Sequence, residues 1–183
     1  ALVVSNLISR SPTLLYFAQD VGEDGSENAG FGAPTRTSIF DYIGVPAHQA
    51  WMNNGKFDGA NLTAEQVALR EYYKAVMSLN SLPAVVGGEM SALNLVGSER
   101  VVGFTRSLGQ QSVYVLSNFS EQPQTVTVNL SKAQLGAMSE NTLLNDLLEN
   151  HTTELKAHPQ GATFNLTLDA FSSAVLTNKA NNE

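Results

Sequence analysis

The sequence predicts a mainly β protein whose larger, C-terminal part is a small antiparallel β-sandwich. Residues 125–130 and 163–168 alternate polar and apolar side chains, as strands with one buried face do. Residues 100–106, 112–119, 142–148 and 171–177 are further strand candidates, and residues 107–110 predict a hairpin turn. Six short strands at this spacing favour two packed sheets over a barrel with helices.

Composition excludes several classes of protein. The 183 residues allow one domain or two small ones, and 43% hydrophobic against 15% charged residues is typical of a packed core. A net charge of −7 argues against nucleic acid and anionic membrane surfaces as partners. The sequence has no cysteine, which excludes disulfides and thiolate chemistry and leaves the compartment open.

The first part of the chain has a different pattern. Residues 1–8 fit the end of a buried helix, and residues 13–18 carry no charge, which is typical of a strand buried on both faces. Residues 19–61 form a long loop, and the helix predicted over 63–79 begins with a capping box between Thr63 and Gln66. Its apolar face comprises Leu69, Tyr72, Tyr73 and Val76. We place the domain boundary after residue 88, giving domains 1–88 and 89–183.

The motifs in residues 11–59 resemble the α-amylase family, glycoside hydrolase family 13. Residues 11–23 resemble the eighth strand of that family's catalytic (β/α)8 barrel, although Ala18 replaces a glycine and Asp20 a glutamate. Residues 35–42 and 51–59 are similar to the loop after that strand in bacterial α-amylases. The resemblance implies the last β/α unit of a TIM-type barrel, with a long rim loop, followed by the family's C-terminal β-sandwich.

The resemblance also implies a function for a longer parent chain. Enzymes of this family hydrolyse or transfer α-glucosidic bonds with an aspartate nucleophile, a glutamate acid/base and a second aspartate, in a retaining mechanism. All three would lie upstream of Ala1, so we expect no catalytic residue in this chain and no activity from it alone. The expected partners are the rest of the barrel and an α-glucan such as starch or a maltooligosaccharide. A periplasmic or secreted bacterial location is favoured.

A substrate-binding set is predicted in the rim loop, which would line the active-site face of the barrel. It consists of Arg36, Asp41, Tyr42 and Trp51, because an aromatic face stacks on a pyranose ring while charged groups bind hydroxyls. The alternative is structural: Phe40, Tyr42 and Trp51 would anchor the loop, and Arg36 would pair with Asp41.

The acidic residues Asp20, Glu23, Asp24 and Glu27 are a candidate Ca²⁺ site, since that ion takes oxygen ligands. Their spacing fits no calcium loop, so a solvated acidic loop is the favoured interpretation and no cofactor is expected. A catalytic role for this cluster is rejected, because one short loop rarely fixes two carboxylates with opposed pKa values. The three histidines have no zinc-type spacing.

Two further hypotheses concern binding. A stand-alone carbohydrate-binding or interaction module would need an exposed aromatic platform, yet no Trp follows residue 90, where the aromatic residues are Phe104, Tyr114, Phe119, Phe164 and Phe171. An uncharged strand over residues 13–18 without neighbours would have two open edges, which predicts self-association of the chain through residues 11–20 or else a placement of this segment against the β-sandwich.

Overall fold

A computed structural model describes residues 1–25, 44–135, 142–149 and 151–178. The α-helices are α1 (Leu2–Leu7), α2 (Pro46–Met52), α3 (Ala64–Ser78), α4 (Pro83–Gly87) and α5 (Lys132–Leu135). The strands are β1 (Glu89–Ala92), β2 (Asn94–Val96), β3 (Val101–Leu108), β4 (Gln111–Asn118), β5 (Gln124–Ser131), β6 (Leu143–Asp146), β7 (Thr152–Glu154), β8 (Lys156–His158), β9 (Gly161–Leu168) and β10 (Ser173–Thr177). In these ranges, no helix is long and apolar enough to cross a membrane.

The strands form two antiparallel sheets, which confirms the predicted β-sandwich. The larger sheet has the order β1-β3-β4-β10-β6-β7 and the smaller sheet the order β2-β5-β9-β8. The predicted inward residues of β5 and β9 lie in the core between the sheets, with Val126, Val128 and Phe164 at most 2% exposed. The hairpin of β3 and β4 turns through Gly109 and Gln110, and the positive φ of Gly109, 58°, is one that glycine adopts without strain.

The central strands β4 and β10 of the larger sheet are buried on both faces. In β4, Tyr114 and Leu116 point into the sandwich core, whereas Val113 and Val115 pack in a second core. That second core contains Val3 and Leu7 of α1, residues around α4, and Val76 and Leu79. Burial raises the pKa of Tyr114 to about 12, and its hydroxyl donates a hydrogen bond to the carbonyl of Gln134 at 2.9 Å.

The chain divides into two compact units, one of Ala1–Pro12 with Val76–Glu183 and one of Thr13–Ala75. We call them the sandwich unit and the loop unit. This division differs from the predicted boundary after residue 88, because α1 and α4 pack on the outer face of the larger sheet. The second core therefore joins residues from both ends of the sequence into one unit.

Residues 13–18 do not form the strand predicted for them. Residues 12–16 have no regular secondary structure, and Leu14 is 91% exposed where a strand buried on both faces was expected. A parallel strand forms only beside other strands, and none of the ten described strands belongs to the loop unit. The segment ends at Ala18, whose φ of 61° lies in the left-handed region where the resembled motif has glycine.

Helix α3 begins with the predicted capping box. The backbone N–H of Gln66 donates to Thr63 Oγ1 at 3.3 Å, and the N–H of Thr63 donates to Gln66 Oε1 at 3.0 Å. The two side chains thus satisfy two backbone donors at the start of the helix. Of the predicted apolar face, Val76 is buried, Leu69 and Tyr73 are partly buried and Tyr72 is 40% exposed.

We expect the Thr63→Ala substitution to lower the stability of α3 by about 1 kcal/mol, because it leaves the N–H of Gln66 without its acceptor. Hydrogen exchange of the first-turn amides measures this loss directly. Gln66→Ala and the double variant complete a double-mutant cycle, and we expect the double variant to lose less than the two single losses together. Additive losses would contradict a reciprocal capping box.

Candidate functional site

Trp51 lies at the centre of an aromatic cluster in the loop unit. Helix α2 has Pro46 in its first turn, where the missing N–H costs no hydrogen bond, and it places His48 and Trp51 three residues apart. The ring of His48 lies 5.5 Å from Trp51 and 4.5 Å from Phe17, between centroids. This cluster packs beside the small core of Ala18, Val21 and Ala47.

Arg70 of α3 contacts both the aromatic cluster and Asp20, one of the acidic residues of the candidate Ca²⁺ site. Its guanidinium carbon lies 4.8 Å from the centroid of the Trp51 ring, in a cation–π contact, and it forms an ion pair with Asp20. The Arg70 and Asp20 side chains are only 25% and 29% exposed, so solvent screens this pair less than a surface pair. Asp20 therefore orients the cation that covers Trp51.

Two of the four acidic residues of the candidate Ca²⁺ site, Asp20 and Glu23, make contacts with other parts of the protein. Glu23 Oε2 accepts a hydrogen bond from the backbone N–H of His48 at 2.9 Å, in the first turn of α2. Asp20 is held by Arg70, and Glu27 lies outside the described residues. In the described parts of the chain, no three His, Asp or Glu side chains are grouped as metal ligands. The Ca²⁺ alternative stays a prediction.

The predicted substrate-binding set can be located only in part. Arg36, Asp41 and Tyr42 lie outside the described residues, and so does Phe40. Trp51 is partly buried and contacts Arg70, His48 and Phe57. Its sugar contact stays a prediction, and its observed contacts are those of a residue that anchors the loop.

Sequence reasoning missed Phe57, which is more exposed than its neighbour Trp51. Phe57 is 56% exposed, and its ring lies edge-on to Trp51 at a centroid distance of 5.7 Å. The sequence indicates its position through the Asn54-Gly55 and Asp58-Gly59 pairs on either side of it, since Asn-Gly and Asp-Gly pairs mark tight turns. A large apolar side chain within closely spaced turns is the pattern to look for.

In the sandwich unit, three of the five aromatic residues considered above are buried. Phe104, Tyr114 and Phe164 are at most 3% exposed, whereas Phe119 and Phe171 are 45% and 66% exposed. An open cleft of about 320 Å³ lies along β7, β8 and β9, lined by Thr152, Glu154, Lys156 and Asn165 among others. Phe164 also borders this cleft but is only 2% exposed, so it offers little stacking surface.

Comparison with known proteins gives matches among solved structures alone. No family model matches the sequence, and no curated protein matches it. The structure of AmyP in complex with maltose matches 97% of this chain with a TM-score of 0.63 and 18% identity. The maltogenic alpha-amylase AmyB from Thermotoga neapolitana matches 96% of it with a TM-score of 0.62 and 11% identity.

These matches show the fold of the chain. The chain spans about a third of the length of both proteins, 33% of AmyP and 34% of AmyB. The expected likeness to α-amylase structures is therefore confirmed for the fold of nearly the whole chain. It places this chain beside structures of an α-amylase and of a maltose-bound protein.

Proposed function

We propose that the chain is the C-terminal portion of an α-amylase-like glycoside hydrolase that acts on α-glucans. The observation that carries the proposal is the match over almost the entire chain to a maltogenic alpha-amylase and to a protein solved with maltose. The motifs of residues 11–59 support it independently, because they are a likeness of residue types at given positions, whereas the match is a likeness of backbone shape.

In this proposal the two units have different tasks. The sandwich unit has its own core between two sheets and stabilises the catalytic barrel of the parent protein. Outside residues 26–43, which the structure does not describe, the loop unit has a small core of three buried residues and several exposed apolar side chains, among them Leu14, Val67 and Tyr72. Such a unit would gain stability by burying these side chains against further apolar partners. The rest of a barrel would supply such partners to its last strand, rim loop and helix.

The catalytic aspartate, glutamate and aspartate of the retaining mechanism belong to the upstream part of the parent in this proposal. Within the described residues, the carboxylates of Asp20 and Glu23 are held by Arg70 and by the N–H of His48. These contacts give both carboxylates structural partners, whereas a retaining enzyme needs an acid and a nucleophile about 5 to 5.5 Å apart across the sugar. Substrate contacts by Arg36, Asp41 and Tyr42 remain part of the proposal.

We expect the parent protein to release reducing sugar from soluble starch, and the isolated 183-residue chain to do so at least about 10³-fold more slowly or not at all. The physical reason is that the rate depends on a nucleophile and an acid fixed together, and a chain without them retains only binding. A colorimetric assay of reducing ends on both proteins measures the difference.

The variants Asp20→Asn and Glu23→Gln in the isolated chain are the controls. Starch hydrolysis by that chain, lost in either variant, would show that these carboxylates are catalytic and would overturn the assignment. A parent protein that releases no sugar from starch or maltooligosaccharides would overturn the α-glucan substrate class.

The second candidate is a carbohydrate-binding module formed by the sandwich unit. The exposed side chains of Phe119 and Phe171 favour it. Phe119 directly follows β4 and Phe171 lies two residues before β10, and because these strands pair antiparallel both residues lie at the same end of the sheet. In this candidate Phe171→Ala would abolish maltooligosaccharide binding by the chain.

A further inference from the structure

The loop between α2 and α3 has an unusual concentration of left-handed backbone. Five of the seven residues from 53 to 59 have positive φ: Asn53 (43°), Asn54 (55°), Gly55 (87°), Phe57 (56°) and Gly59 (70°). Asparagine and glycine adopt this region readily, but for a bulky residue such as Phe57 it is strained. Strained conformations persist only where their surroundings hold them, and they are concentrated at functional sites.

Several hydrogen bonds hold the loop in this conformation. Asp58 Oδ1 accepts one from Asn53 Nδ2 at 2.9 Å and one from the N–H of Ala60 at 3.0 Å. The first of these, from the Asn53 amide, contributes most to lowering the pKa of Asp58 below its usual value. Asn61 Nδ2 donates to Asn53 Oδ1 at 2.8 Å, which connects the end of the loop to its beginning.

The conformation places Phe57 towards solvent. Its N–H donates to the carbonyl of Met52 at 3.0 Å, and its ring meets Trp51 edge-on while 56% of the residue stays exposed. Trp51 is fixed in turn by Arg70 and by Gly59, where a Cβ atom would come within 3.3 Å of Trp51 Cδ1. The fold thus supports an apolar ring from behind and leaves much of it in water.

We propose that Phe57 is a substrate-binding residue whose exposed ring stacks on a pyranose unit of an α-glucan chain. This proposal rests on the proposed function, which supplies the ligand class. The C–H face of a glucose ring matches an aromatic face, and the exposed neighbours Asn54 and Lys56 offer hydrogen-bond donors to its hydroxyls. The hydrogen-bonded loop holds the ring before ligand binds, which lowers the entropic cost of binding.

Trp51 makes this proposal directly measurable. It is the only tryptophan of the chain, and its ring lies 5.7 Å from that of Phe57, so a sugar stacked on Phe57 alters the surroundings of the one indole. We expect titration of the 183-residue chain with maltohexaose to give a saturable change in tryptophan emission, with a Kd in the millimolar range or tighter. Cellohexaose, which has β-linkages, should give a change at least several-fold weaker.

Substitutions at Phe57 separate a binding role from a structural one. We expect Phe57→Ala and Phe57→Leu to weaken maltohexaose binding about tenfold, and Phe57→Tyr to stay within about threefold of wild type. Leucine keeps an apolar contact with Trp51 but has no flat face, so a loss in that variant at an unchanged melting temperature is a loss of stacking. Phe171→Ala separates this proposal from the carbohydrate-binding module of the second candidate, because Phe171 is also exposed and has a φ of 54° but lies in the sandwich unit.

Three results from the 183-residue chain would overturn the proposal: no saturable signal with the wild-type chain, equal affinity in Phe57→Leu, or loss of binding in Phe171→Ala alone. The last result would assign glucan to the sandwich unit. Parent protein that hydrolyses starch with an unchanged KM in Phe57→Leu would overturn the role of Phe57 and leave the proposed function standing. Binding by the chain that depends on Phe57, together with an inactive parent, would overturn the proposed function instead.

Discussion

The Val128→Asp substitution is expected to unfold the sandwich unit. Val128 lies in the middle of β5, pairs with Leu95 of β2 and Phe164 of β9, and is fully buried in the core between the sheets. A carboxylate at this position would have no charged or hydrogen-bonding partner, and burial of an unpaired charge costs several kcal/mol. Because a domain of this size is stable by about 5 to 15 kcal/mol, most of the folded population should be lost.

Circular dichroism melting of the variant measures this effect, and Thr125→Asp is the matched control. Thr125 lies three residues earlier in the same strand, is exposed, and bonds the hydroxyl of Thr167 across to β9 at 2.9 Å. The same new side chain in water should cost less than about 1 kcal/mol. If Val128→Asp melted within a degree or two of wild type, the strand register of β5 would be wrong.

The strands could be predicted because their pattern is local. In β5 and β9 the period of two decides which side chains are buried, and the structure confirms it at Val126, Val128 and Phe164. The burial of β4 on two faces was missed, although its continuous apolar run, Val113 to Leu116, indicates it. The strands β1, β2, β7 and β8 are three or four residues long and carry too little pattern to be recognised.

The predictions failed where distant residues decide the structure. Pro83 is the first residue of α4, a position where proline is favoured, although proline inside a helical pattern usually marks its end. Helix α4 is fixed by its packing against the larger sheet, which the local sequence does not contain. Residues 13–18 have the composition of a buried strand, but a strand also needs neighbours to pair with.

The sequence drew attention to Trp51 by its residue type, but it did not predict which side chains contact it. Trp51 was predicted as a substrate-binding or anchoring residue, and its contact with Arg70 joins positions 19 residues apart that no spacing rule connects. Phe57 was overlooked because its exposure follows from the backbone conformation of residues 53–59. A sequence pattern reveals turns there, but not which side chain the turns leave in solvent.

Arg106 of β3 connects α1 and α4 to the larger sheet. It is 1% exposed, and its guanidinium donates to the carbonyl of Ile8 at 3.3 Å and to that of Val85 at 2.8 Å. These carbonyls belong to the C-terminal ends of α1 and α4, where backbone acceptors lack helical partners. Burial lowers the pKa of Arg106, with a smaller contribution from Arg10. Arg106 Nε makes no hydrogen bond within the described residues, which is a cost of holding the charge there.

We expect Arg106→Ala to lower the free energy of unfolding by about 3 kcal/mol, because it leaves two helix-end carbonyls unpaired and a cavity behind them. Arg106→Met fills most of the space without donating, so it should lose about half as much. Chemical denaturation measures both variants, and hydrogen exchange should show the earliest loss of protection in α1. The control is Arg100→Ala, an exposed residue just before β3, with a change within about 0.5 kcal/mol.

The comparison of methionine with alanine decides what Arg106 contributes. Replacing a buried charge by an apolar side chain of similar volume is often neutral, since the cost of desolvating the charge disappears with it. If Arg106→Met were as stable as wild type, its two hydrogen bonds would only offset that cost, and packing of Val3 and Leu7 would hold α1 on the sheet. A loss of stability in Arg106→Met, with α1 exchanging first, would instead assign the attachment of α1 and α4 to the guanidinium.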